Sequence, residues 1–168
     1  MRSADADRLL SAVRSHAEAV LREARGIGRQ PALFADALDV QTRAPATWLH
    51  PTDGRPMILS NLANQQDLLR LLVGLTGLTD DGTYRAAAEA AVAAGCRSCR
   101  DESGLLHWGG HWASDLTTGA GFGMDDFHEL KNHYPFYDLM WQVDPRATQD
   151  FIAAFWQRHI LDWANLDL

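Results

Sequence analysis

Four of the seven histidines fall in one stretch of the chain: His107, His111, His128 and His133. Asp125, Asp126, Glu129 and Lys131 lie among them. Imidazole and carboxylate together are the usual ligand set of a borderline divalent cation such as Zn or Mn. His107 and His111 flank Trp-Gly-Gly, where the backbone can bend and present either ring. The competing reading is structural: the rings cap turns or sit half-buried among aromatics.

Other chemistries fit less well. His128 and His133 are five residues apart, which is not the His-Glu-x-x-His spacing that puts two rings on one helix face. A metalloprotease is therefore not expected. Cys96-Arg97-Ser98-Cys99 has thioredoxin-like spacing, but it ends an alanine-rich helical stretch with no strand before it. Packing is the expected role for both thiols. Gly119-Ala120-Gly121-Phe122-Gly123 lacks the preceding strand and following Lys-Ser/Thr of a phosphate cradle. Trp108, Trp112, Tyr134 and Tyr137 sit in or beside segments that read as loops. Each either stacks on the flat face of a sugar ring or packs in the core.

The elements that must position these residues read as helices. Residues 4–25 carry Leu9, Leu10, Val13, Ala17, Val20 and Leu21 at three- and four-residue spacing. Prolines and glycines break residues 26–58. A second helix is predicted from Ser60 as N-cap to about Leu78, with Gly74 and Gly77 allowing close helix contact. A third spans 83–98 after the Asp80-Asp81-Gly82 turn. Residues 101–134 are irregular, with a short extended piece near Leu105. Pro135 starts or kinks a helix. Asp144-Pro145 opens the last one, whose face is Phe151, Ile152, Phe155, Trp156, Ile160 and Trp163. No convincing strand alternation is present. The fold expected is all-α: antiparallel helical hairpins with long irregular loops, in a single domain over 1–168.

Composition narrows the partners. The chain has 168 residues, is 46% hydrophobic and carries net charge −7, enough for a core without disulfides. Lys131 is its only lysine. Scattered arginines on an acidic chain make no basic stripe for nucleic acid, and no basic amphipathic helix suits a membrane surface. No run of about 18 apolar residues exists. The start of the chain shows no apolar signal region, and with two cysteines outside any disulfide framework the expected setting is cytoplasmic.

Leu105-Leu106-His107-Trp108-Gly109-Gly110-His111 resembles the Tyr-Trp-Gly-Gly-His element of family 2 pectate lyases. His128-Glu129-Leu130-Lys131-Asn132-His133-Tyr134-Pro135-Phe136-Tyr137-Asp138-Leu139-Met140 resembles their His-Glu-Leu-Lys element. The segments after Val143 and from Ser60-Asn61-Leu62-Ala63-Asn64-Gln65-Gln66 look similar as well. The resemblance implies an α/α toroid that cleaves polygalacturonate by β-elimination with a transition-metal ion, commonly Mn. It places His111 and Glu129 in the metal site. The family's second metal-binding His follows its catalytic Arg directly, a few residues past the segment that here reads Asp162-Trp163-Ala164-Asn165-Leu166-Asp167-Leu168, so the resemblance places that pair beyond Leu168. The chain therefore resembles an N-terminal portion of a longer toroid, with no catalytic residue assigned and activity as it stands left open. His107, His128, Lys131 and His133 are candidates for contact with an acidic oligo- or polysaccharide, beside Trp108, Trp112, Tyr134 and Tyr137. Two alternatives stand beside this reading. One is an α/α-toroid glycosidase or sugar epimerase. The other is a non-enzymatic carbohydrate- or partner-binding helical domain, which self-associates through an exposed helical face.

Overall fold

The structure is a computed structural model that describes residues 3–109, 112–123, 133–159 and 163–164. Among these residues the chain is dominantly helical, as its apolar spacing predicts. The helices are α1 (Ser3–Glu23), α2 (Gln66–Thr79), α3 (Gly82–Ser98), α4 (Tyr137–Val143) and α5 (Pro145–His159). Five short strands depart from the all-helical expectation: β1 (Trp48–Leu49), β2 (Pro56–Met57), β3 (Leu59–Ser60), β4 (Ala113–Asp115) and β5 (Gly121–Phe122). They form two small antiparallel sheets, β1-β2 and β3-β4-β5. Strands of two or three residues are too short to leave an alternating pattern in the sequence.

The α2–α3 hairpin is the centre of the core. Leu69, Leu72 and Leu75 of α2 face Tyr84, Ala88, Ala91 and Val92 of α3, all buried. Burying each leucine contributes roughly 2 kcal/mol. The turn between them is fixed locally: Asp80 is left-handed (φ 56°) and donates its N–H to Thr76 C=O, while Asp81 Oδ1 accepts Thr83 N–H at 3.0 Å. Gly74 and Gly77 do not mediate close contact; an added Cβ at either would meet open space. The tight approach is at Gly95, where a Cβ would lie 3.1 Å from Leu62 Cδ2. Asp144 caps α5 as expected, its Oδ1 accepting Ala147 N–H at 2.9 Å.

Ser60 does not open a helix. It pairs with Ser114 across β3 and β4, and its hydroxyl accepts from Gln65 Nε2 at 3.0 Å. A polar turn then leads to α2, which starts at Gln66. Pro135 starts no helix either: α4 begins two residues later, at Tyr137. The last helices bury Leu139, Met140, Phe151 and Ala154 and leave Trp141, Ile152 and Trp156 exposed. Trp156 packs on Trp163 with ring centroids 5.1 Å apart.

Candidate functional site

The site is built around residues 60–66, and its side chains reach in three directions. Towards the N-terminal loops, Asp36 Oδ1 accepts the N–H of Asn61 at 2.8 Å and Gln65 Nε2 at 3.1 Å. Asp36 Oδ2 accepts Asn64 Nδ2 at 3.2 Å. Burial pushes the Asp36 carboxyl up despite these donors. Gln65 also donates to Phe34 C=O at 2.8 Å.

The second direction is the histidine-bearing segment. Asn61 Oδ1 accepts the N–H of Gly109 at 2.9 Å, and Asn61 Nδ2 donates to Trp112 C=O at 2.7 Å. The third is the segment before α4, where Gln66 Oε1 accepts Phe136 N–H at 2.6 Å. Arg70, one turn along α2, donates to Tyr134 C=O at 2.8 Å. Its guanidinium lies 5.6 Å from the Tyr134 ring centroid and 5.1 Å from that of Phe136. Residues 61 and 66, with Arg70, thus hold Gly109 and Trp112 at the end of the first family-like motif and Tyr134 and Phe136 within the second.

The candidate residues divide by environment. Trp108 is fully buried against Phe151, with ring centroids 5.1 Å apart, and Trp112 is buried as well. Of the two readings open for them, this burial favours packing. His107 is also buried. Its Nδ1 meets Ser114 Oγ at 2.9 Å, and that hydroxyl is directed to Cys99 Sγ at 3.1 Å. Burial holds the His107 ring below the ordinary histidine value. His107 thus sits buried among Ser114 and Cys99.

On the surface, Tyr134 is 76% exposed and meets Tyr137 edge-on at 6.1 Å. Burial, and then the neighbouring Tyr134, push the Tyr137 phenol up. His133 is exposed. His111, His128, Glu129 and Lys131 lie outside the described residues. Among the described residues no three His, Cys, Asp or Glu side chains gather where they could hold a metal ion. A metal reading therefore depends on His111 and Glu129, whose imidazole and carboxylate suit a borderline divalent cation by donor chemistry.

The sequence of the chain matches a family described as periplasmic pectate lyase over residues 31–168. The chain belongs to that family. A pectate disaccharide-lyase of Dickeya dadantii (strain 3937) is 39% identical over 166 residues, covering 96% of this chain. The chain spans 30% of that relative's length. The family's description also corrects the cytoplasmic expectation and points to a periplasmic or secreted location. That expectation rested on the polarity of a few residues near Met1 and on cysteine count, and neither records where the folded domain works.

Asn61, Gln66 and Arg70 had no assigned role in the sequence. The signal available was the amide cluster Asn61, Asn64, Gln65 and Gln66, an unusual density of side chains able to donate and accept at once.

Proposed function

We propose that this chain carries part of the machinery of a polysaccharide lyase that cleaves acidic, uronate-containing chains by β-elimination. The observation that carries the reading is the tie between both motif segments and residues 60–66, in a chain of the pectate lyase family. It joins residues 109 and 112 of the first segment and residue 136 of the second to one scaffold.

In the elimination, the proton next to the uronate carboxylate is removed, the bond to the linked sugar oxygen breaks, and a double bond forms between the two carbons. His111 and Glu129 would hold a divalent ion, Mn by preference, which supplies charge stabilisation at the carboxylate as negative charge develops there. Tyr134 offers an exposed aromatic face on which a pyranose can stack, and the Arg70 guanidinium beneath it adds positive charge near that face. Lys131, His128 and His133 add cationic or hydrogen-bonding capacity for an acidic substrate. No residue of this chain is assigned as the base. Trp108, Trp112 and His107 hold the core behind the site.

The test is incubation of the protein with polygalacturonate, following unsaturated uronate ends by ultraviolet absorbance. Unsaturated product is expected once the chain is joined to a segment that supplies the base, and it is expected to stop on chelation, to return with Mn(II) and to be lost in Glu129→Gln. Saturated reducing ends without unsaturated product would show hydrolysis and overturn the lyase reading. Full activity under chelation would overturn the metal.

A further inference from the structure

We propose that Asp36 and Gln65 form a proton-operated latch between the loop after α1 and the stretch before α2.

The joint is one hydrogen short. Gln65 Nε2 lies within reach of three oxygens: Phe34 C=O at 2.8 Å, Ser60 Oγ at 3.0 Å and Asp36 Oδ1 at 3.1 Å. An amide nitrogen has only two hydrogens to give. At the other end of the same amide, Gln65 Oε1 is buried and accepts no hydrogen bond from any described residue. Gln65 as a whole is 4% exposed. Reversing the amide would set Oε1 against the Phe34 carbonyl and the Asp36 carboxylate, so these neighbours fix its orientation.

Asp36 can supply the missing hydrogen. Its partners are all donors from one stretch: Asn61 N–H and Gln65 Nε2 on Oδ1, and Asn64 Nδ2 on Oδ2. No cation holds it ionised. Arg25 after α1 lies over the Phe34 ring, 5.3 Å from its centroid. Asp39 bonds within its own loop, Asp67 and Arg70 of α2 pair with each other, and Asp115 of β4 pairs with Arg55. None of these charges shifts Asp36, whose carboxyl is pushed up by burial against its three donors.

A proton taken from solvent onto Oδ2 turns this oxygen from acceptor to donor. The acid then matches the amide end to end: Nε2–H still donates to Oδ1, and the new O–H donates to Oε1 after a small turn of the side chains. Oδ2 gives up Asn64 Nδ2, its 3.2 Å bond to an exposed side chain. The neutral pair costs less to bury than the carboxylate, and the buried amide oxygen gains a partner. Arg55 and Asp115 behave in the opposite way. Burial works against ionisation of Asp115, but Arg55, Thr118 and the N–H of Thr117 overcome it and hold that carboxyl below its ordinary value. Acid therefore loosens the Arg55–Asp115 joint and tightens the Asp36–Gln65 joint. The folded chain takes up the Asp36 proton before the unfolded chain does. The contribution of Asp36 to stability grows as pH falls through its folded value and is complete below 3.8.

The test uses the full 168-residue chain. NMR follows the Asp36 carboxyl carbon and the side-chain amides of Gln65 and Asn64 as pH is lowered. The carboxyl is expected to titrate above 3.8. Both amides are expected to move with the same midpoint, Asn64 towards the position of a free amide. Asp36→Asn is neutral and carries a donor for Gln65 Oε1, so it is expected to keep Asn64 released at every pH and to abolish the common midpoint. Stability of the parent relative to Asp36→Asn, from urea unfolding, is expected to rise as pH falls through that midpoint. Asn64→Ala changes an exposed side chain and keeps the test open should Asp36→Asn fail to fold. It removes a partner of the ionised form alone, so the Asp36 midpoint is expected to move up. A carboxyl that titrates at or below 3.8 overturns the latch. So do Gln65 signals that stay fixed through the Asp36 titration, as they would if ordered water held Oε1 in both states. An unmoved midpoint in Asn64→Ala overturns it as well.

Discussion

Gln66 Oε1 accepts the backbone N–H of Phe136 at 2.6 Å, across 70 positions of sequence. The other end of the same amide donates to Leu62 C=O at 2.8 Å. Gln66 is 2% exposed; its bond to Leu62 is buried and its bond to Phe136 part-buried. The side chain at once closes the start of α2 and fixes the segment that leads into α4.

Gln66→Met keeps the length of the side chain and removes both bonds. Phe136 N–H and Leu62 C=O lose this partner in part-buried and buried settings, and stability is expected to fall by about 2 kcal/mol. Urea unfolding measures this. A midpoint equal to that of the parent chain would show that water replaces the amide at no loss.

Gly28 marks a close crossing of two loops. It holds φ +50°, and a Cβ there would lie 2.2 Å from Leu116 C=O. The next residue, Arg29, donates its N–H to that same carbonyl at 3.0 Å. Gly28→Ala must move the backbone and is expected to destabilise the protein by about 2–3 kcal/mol. Gly54→Ala is the comparison: its φ is also positive, at +69°, but a Cβ would meet nothing within 4 Å. It isolates the strain from the clash. Equal losses in the two variants would remove the crossing as the cause.

His107 makes stability depend on pH. Burial lowers its folded-state value below the ordinary 6.5. Its contribution is therefore fully present above 6.5. It is lost as pH falls from there towards the folded value, because the unfolded chain takes up the proton first. Thermal unfolding from pH 7.5 to 5.5 checks this, with His107→Gln expected to flatten the slope. A parent slope that survives in His107→Gln would place the titration elsewhere.

The two thiols are free and buried. Burial pushes Cys96 up to about 11 and raises Cys99 as well. A thiolate is the reactive form, so neither should react with a disulfide reagent at neutral pH while the chain is folded. Both should react at once in denaturant. Rapid labelling of the native protein would contradict this and revive a redox role for the pair.

The helices were legible where local chemistry writes them. Asp81 and Asp144-Pro145 announce α3 and α5, and the apolar spacing of α1 predicts its face although Leu9 stays exposed. Ser60 misled because a good N-cap residue is also a good strand residue beside a polar turn. Asn61 and Gln66 were not legible as anchors for a different reason: their partners lie 48, 51 and 70 positions away. Local pattern carries no mark of such distances. The packing of Trp108 and His107 was equally hidden, since Phe151 and Ser114 reach them only in the folded chain.

Only Asp80 and Asp81 separate α2 from α3, whereas residues 36, 61, 109, 112 and 136 must travel far along the chain to meet. Short loops close at lower entropic cost than long ones. The helical hairpin is placed to nucleate, and the polar stretch before α2 to lock last. Truncating Gln66 should then accelerate unfolding and leave the refolding rate nearly unchanged, while Val92→Ala slows refolding. Stopped-flow chevrons separate the two limbs, and a slowed refolding limb in Gln66→Met would reverse this order. On that order the scaffold of the site arrives late and departs early, and its lifetime is set by how fast the chain opens.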